Sequence, residues 1–224
     1  MNNEILFIAE LLFVFGAVLL IKKFLGKKGL IAWVGIAGVL ANLQVTKSIS
    51  LFGMDATLGN VLFASSFLAT DIISECYGKK EAKKAVKTGI IFMLLFLVIS
   101  QFTLWFVPSA FDIAHPAMES LFTISLRTTA ASVLMYALAN ILDVVLFDKL
   151  SKATNGKYLW LRNNVCTIVC NCAENFGFLF LAFLGIVDVE TILGIALTTC
   201  VIEAIIAVLD TPFAYIARKI KDVE

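Results

Sequence analysis

Seven stretches of this chain are each long and apolar enough to cross a bilayer, and they take up most of its 224 residues. They run over 5–21, 30–50, 57–77, 88–107, 121–148, 158–186 and 191–217. A helix rising 1.5 Å per residue needs roughly 17–25 residues to span the hydrocarbon, and each stretch meets that length. No water at that depth can satisfy backbone N–H and C=O groups, so they must bond within the segment, as in a helix. Hydrophobic residues make up 60% of the chain and its mean hydropathy is +0.95. That is too much apolar surface for a water-soluble core, since soluble domains carry about 45–50%. The chain is predicted to be all-α: a polytopic integral membrane bundle of about seven helices, forming one transmembrane domain over 1–224. The alternative count is six, with one stretch re-entrant or cleaved.

Charge gives the bundle a direction. Lys22, Lys23, Lys27 and Lys28 follow the first span, and Lys79, Lys80, Lys83, Lys84 and Lys87 the third. Lys149, Lys152, Lys157 and Arg162 follow the fifth, and Arg218, Lys219 and Lys221 follow the last. With seven spans all of these share one side, and only Lys47 and Arg127 fall near the other. The positive-inside rule then places the C-terminus in the cytoplasm and the N-terminus outside. The basic clusters serve topology, so no nucleic-acid partner is expected; the partners are the lipid bilayer and a small molecule. The first span carries Glu4 and Glu10 and has its lysines after the apolar run, the reverse of a secretory signal.

Several chemistries are disfavoured. There is no G-x4-G-K for ATP, and neither H-E-x-x-H nor G-x-S-x-G for hydrolysis, so the chain is not read as an enzyme and no cofactor is called for. Cys166, Cys170 and Cys172 do not converge on one helix face, and His115 lies in an outer loop, so no metal site is expected.

The informative residues are the polar ones inside the spans, each of which costs about 2.5–3.5 kcal/mol if ionised at the bilayer centre. Asp71 and Glu75 lie four apart on one face of the third span. Ser132, Tyr136, Asn140 and Asp143 form one stripe on the fifth. Asn164, Thr167, Asn171 and Glu174 form another on the sixth, and Thr199, Glu203 and Asp210 follow on the seventh. Asn42 and Gln44 interrupt the second. Ser132 and Thr167 read as helix–helix glue. Glu174 and Glu203 sit near mid-span beside Asn171, whereas Asp71, Asp143 and Asp210 sit closer to the basic side. Two acids at mid-depth point to a guest bearing hydrogen-bond donors or positive charge. They also suggest proton coupling, because neighbouring carboxylates cannot both stay ionised cheaply. Glu203, Asp210, Glu75 and Arg127 are the candidates for coupling or gating.

Four strings carry a family resemblance. They are Phe67-Leu68-Ala69-Thr70-Asp71-Ile72-Ile73-Ser74-Glu75-Cys76-Tyr77-Gly78 followed by KKEAKKAV, then the run from Arg127 through Ser132 and Tyr136 to Asp143, then LRNNVCTIVCNCAEN, then VLDTPFAY. From about Trp33 to the C-terminus the chain resembles the YhhQ-like queuosine precursor transporter family. The family core is then 33–217, and 1–28 is an extra N-terminal helix and loop. The resemblance implies an inner-membrane importer of 7-deazaguanine bases: cyano- or aminomethyl-deazaguanine, or queuine, used to make a modified tRNA nucleoside. It implies Glu174 and Asn171 for the guanine-like edge and Tyr136 for ring stacking. Glu203 or Asp71 would take a cationic tail, with Asn140, Asp143 and Asn42 completing the site. Many relatives carry Asp at the position of Glu174 and several carry Lys at that of Glu203, a departure that favours a cationic precursor here. The competing reading is the substrate-binding membrane component of an energy-coupling-factor importer. Ala37 and Ala41 form a small-xxx-small pair that leaves a homodimer open.

Overall fold

Gly26 decides how the first part of the chain runs. Helix α1 (Asn3–Gln44) is helical on both sides of it, while Gly26 itself has φ 57° and ψ −146°, a conformation open mainly to glycine. As a straight rod, α1 would hold Glu10 and Gln44 about 50 Å apart. Instead Gln44 Nε2 donates to Glu10 Oε1 at 2.8 Å, and Asn3 Nδ2 donates to Ser50 O at 2.9 Å. The arms 3–25 and 27–44 are therefore two antiparallel helices, matching the first two expected spans. The computed structural model describes residues 2–44, 47–51, 54–122, 126–186 and 188–220, without the side chains of 48, 54–57 and 126–129.

The second expected span was drawn to residue 50, but its helix stops at Gln44. Strands β1 (Ser48–Leu51) and β2 (Met54–Thr57) pair antiparallel, with Ser48 opposite Thr57 and Leu51 opposite Met54. Ser48-Ile49-Ser50-Leu51 alternates polar and apolar with the period of a strand, which helical reading of this run ignores. Helix α2 (Asn60–Tyr77) is followed after Gly78 by α3 (Lys79–Trp105). The basic segment between the third and fourth expected spans forms the first turns of α3, which bury Ala82, Ala85 and Val86 and turn their lysines outward. A short α4 (His115–Phe122) sits in the connection between α3 and α5. There Asp112 Oδ1 accepts from the backbone N–H groups of Ala114 at 2.7 Å and His115 at 3.0 Å. Helices α5 (Leu126–Ala153), α6 (Leu159–Phe183) and α7 (Val189–Lys219) complete the bundle.

Five of these helices are long and apolar enough to cross a membrane: α1, α3, α5, α6 and α7. Helix α2 has 18 residues and is diluted by Ser65, Ser66, Thr70, Asp71 and Glu75. The bundle has its polarity inside out. On α7, Leu197, Val201, Ile205 and Val208 are more than half exposed, while Glu203 and Asp210 are buried. Water would reject such a surface and lipid accepts it.

Ion pairs sort the helix ends. Lys27 meets Glu81 at 3.1 Å, Lys79 meets Asp148 at 2.8 Å, and Glu75 meets both Arg162 and Arg218. One end of the bundle therefore gathers the Gly26 turn, the α2–α3 junction, the ends of α5 and α7 and the start of α6. The Glu10–Gln44 bond lies at the opposite end, where Gln44 Oε1 also accepts from Gly59 N at 3.2 Å.

Candidate functional site

Several of the polar residues predicted to line the interior are buried. Asp71, Asn140, Asp143, Asn171, Glu203 and Asp210 are buried, as is Tyr136; Glu174 is half-buried. They come from α2, α5, α6 and α7, so four helices turn a polar stripe towards a common seam.

Antiparallel packing of α6 on α7 sets the register of that seam. Asn163 Nδ2 donates to Asp210 Oδ1 at 2.5 Å, and one residue further Asn164 Nδ2 donates to Thr211 Oγ1 at 2.5 Å. Higher up, Asn175 Nδ2 donates to Glu203 Oε2 at 2.6 Å. Asp210 and Glu203 are seven residues apart, so the two tiers stand roughly 10 Å from one another along α7.

The upper tier contains Glu203, Asn175 and Glu174, the last close enough for its charge to act on Glu203 and on Tyr136. Tyr136 packs edge-on against Phe63, ring centroids 5.7 Å apart, and Phe63 against Phe67 at 5.2 Å. Its hydroxyl reaches across to α3: a Cβ built on Gly89 would come within 2.9 Å of that oxygen. Glycine at 89 is what allows the ring to lie there.

In the lower tier Asp71 and Asp143 face each other across α2 and α5, their carboxyl groups within hydrogen-bonding reach. Asp210 acts on both from α7. Below them Glu75 is clamped by Arg162, which is fully buried, and by Arg218 at 3.5 Å. Arg162 Nη1 also donates to Lys157 O at 2.9 Å, and its guanidinium lies 5.3 Å from the centroid of the Phe147 ring. This clamp joins α2, α5, α6 and α7 at the basic end.

Much of the seam is unsatisfied. Both carboxyl oxygens of Asp71 and of Asp143, both amide atoms of Asn171, Asn140 Oδ1, Tyr136 OH, Thr167 Oγ1 and Asp210 Oδ2 are buried without a hydrogen-bond partner among the described residues. Each such atom costs about 1–3 kcal/mol, and folded proteins hold few of them. Their concentration along one seam makes it the candidate site.

Not every candidate joins it. Asn42 Nδ2 donates to Gly38 O of its own helix at 2.9 Å; Asn140 does join it, through Oδ1, while its Nδ2 donates to Tyr136 O at 2.9 Å. The side chain of Arg127 lies outside the described residues. Asn163, Asn175, Arg162 and Phe63 were missed as site residues. Asn164 stood in the expected stripe, yet Asn163 is the buried one and Asn164 also bonds back to Trp160 O. The Asn-Asn pair flags a polar position but leaves the register one residue open. Among the described residues no group of three or more His, Cys, Asp and Glu could hold a metal ion. All five cysteines are free. Two surface grooves, one beside Leu19, Lys23 and Ile216 and one beside Lys87, Ile90 and Ile141, are not lined by seam residues.

Residues 57–217 match the family model described as "Putative vitamin uptake transporter". The chain is 39% identical over 203 residues to the "Probable queuosine precursor transporter" of Bacillus subtilis, covering 90% of this chain and 89% of that protein. It is 31% identical to the "Queuosine precursor transporter" of Escherichia coli, over 64% of this chain and 62% of that protein. A "Probable queuosine precursor transporter" of Haemophilus influenzae is 30% identical, over 59% of this chain and 54% of that protein. No solved structure matches.

Proposed function

Because the chain belongs to the YhhQ-like queuosine precursor transporter family, a multi-pass family of the cytoplasmic membrane, we propose that it is a secondary carrier importing a 7-deazaguanine precursor of queuosine. Counting the two arms of α1 and the short α2, the chain crosses the membrane seven times. Its N-terminus lies outside, and its basic end faces the cytoplasm.

The observation that carries this reading is the row of buried, unpartnered polar atoms on α2, α5, α6 and α7. A deazaguanine base presents paired N–H donors and a carbonyl on one edge. Glu174 accepts from that edge, while the Asn171 amide both donates and accepts. Tyr136, beside Phe63, packs on the ring. Glu203 or Asp71 takes the amine of an aminomethyl or queuine tail. Because Glu203 already accepts from Asn175, it reaches a cationic guest as a partly satisfied carboxylate, which moderates the desolvation such a group otherwise suffers.

Thermal unfolding of the purified chain with cyano-deazaguanine, aminomethyl-deazaguanine and queuine tests this, with guanine and adenine as controls. A ligand at one hundred times its Kd stabilises the native state by about 2.7 kcal/mol. At least one deazaguanine should raise Tm while adenine does not, and the shift should vanish in Glu174→Gln and Asn171→Ala. A chain indifferent to all three precursors, or one that responds equally to adenine, would contradict the reading.

A further inference from the structure

Each buried acid of the seam can be asked what donates to it. Glu75 has Arg162 and Arg218, Asp210 has Asn163, and Glu203 has Asn175. Each of the three meets at least one donor, although Asp210 Oδ2 has none among the described residues. Asp71 and Asp143 differ: none of their four oxygens meets a donor among the described residues, yet their carboxyl groups lie within hydrogen-bonding reach of one another. Two carboxyls facing at that range can bond only if one carries a proton, and like charges so placed cannot both persist in a dry interior.

Among the described residues the surroundings offer no substitute for that proton. Arg162 on α6 acts on Asp71 electrostatically, but its described nitrogen bonds go to Glu75 and Lys157 O. Cys166 and Cys170 on α6 also face the pair and bring no positive charge. Asp210 on α7 adds a third negative group. On α1 and α3, Lys22 is turned to Tyr77, Lys27 to Glu81 and Lys79 to Asp148.

We infer that Asp71 and Asp143 act as one carboxyl pair that holds a single shared proton, and that this pair, rather than Glu203 or Asp210, is the proton-coupling site of the carrier. The shared proton follows from the packing of α2 on α5 alone; its coupling role rests on the carrier reading above. The pair stands one turn above the Glu75–Arg162 clamp along α2. A proton entering or leaving it changes the charge facing Arg162, the group that closes the basic end.

Infrared spectroscopy of the purified full chain at neutral pH tests the proton directly, through a carboxylic-acid C=O band that shifts in D2O. Asparagine at either position supplies an N–H donor that lets the remaining acid ionise. Asp71→Asn and Asp143→Asn should therefore each remove the same whole band component, while Asp210→Asn and Glu203→Gln keep it. A component that survives either asparagine variant, or that disappears only with Glu203→Gln, overturns the pair. Should the asparagine variants not fold, carbon NMR of wild-type chain labelled with [13C]aspartate must still show a carboxylic-acid resonance at neutral pH; carboxylate signals alone would overturn it. In proteoliposomes, uptake of aminomethyl-deazaguanine should rise several-fold with an alkaline interior in wild type, and lose that response in Asp143→Asn. Gradient-independent uptake by wild type would overturn the coupling role and leave the carrier reading intact. No uptake at all alongside an intact infrared signature would instead refute the carrier.

Discussion

Removing the two partners of the Glu75–Arg162 clamp should have unequal consequences. Arg162 is fully buried and brings a guanidinium cation. Glu75→Gln leaves that cation in direct contact with a neutral amide, Lys157 O and the Phe147 ring. Breaking a buried pair this way costs about 3–5 kcal/mol. Arg162→Gln leaves a gentler problem: the Glu75 side chain is 13% exposed and keeps Arg218 at 3.5 Å. About half the cost, roughly 2 kcal/mol, is expected there, since a partly hydrated carboxylate retains a counter-charge. At about 2–4 °C per kcal/mol for a chain of this size, Glu75→Gln should lower Tm by roughly 6–20 °C, and Arg162→Gln by roughly half as much. Unfolding can be followed with a thiol-reactive dye, because Cys166, Cys170 and Cys200 are buried in the folded chain. The double variant should be more stable than the sum of the single losses predicts. Equal losses for the two single variants, or additive losses in the double, would refute the assignment of Arg162 as a buried, Glu75-dependent cation.

Gly89→Ala should force the Tyr136 hydroxyl aside and cost about 1–3 kcal/mol by overpacking; adding Tyr136→Phe should recover much of the lost Tm. Asn163→Leu strips Asp210 of its donor and should cost about 1–3 kcal/mol, read by the same dye. Asp188 caps α7 by accepting from Thr191 N at 2.8 Å and from its hydroxyl at 2.9 Å, bonds that hold its carboxyl below the ordinary range. Its contribution is therefore present above the usual Asp value of about 3.9 and is lost as pH falls through the lower folded value. The Tm deficit of Asp188→Ala should accordingly be seen at pH 7 and shrink in acid.

The helices were legible because lipid imposes a length and a polarity that leave a strong trace in sequence. The Gly26 reversal was legible too, since Lys22 to Lys28 interrupt the apolar run there. What escaped depended on tertiary neighbours. Counting lysines and arginines along the chain assigned Arg162 to the cytoplasmic surface, because a count cannot distinguish a residue at the head groups from one buried against Glu75. Asn163 and Asn164 differ by only about 100° around the helix, so the packing of α6 on α7 had to decide which faces Asp210. Asp71 and Asp143 each stood out as acids within a span, but their mutual approach comes from α2 lying beside α5, which no periodicity encodes. The same limit hid Asn175, the donor to Glu203, which lies on another helix.

The claim beneath all of this is that the seam between α2, α5, α6 and α7 is a path through which the chain alone moves a deazaguanine. Purified protein in sealed proteoliposomes, given labelled aminomethyl-deazaguanine and no ATP, measures it most directly. Time-dependent uptake that saturates, is competed by unlabelled queuine but not adenine, and falls at least tenfold in Glu174→Gln is the predicted result. Uptake that appears only when an ATPase partner and ATP are supplied, or that Glu174→Gln leaves unchanged, would contradict it.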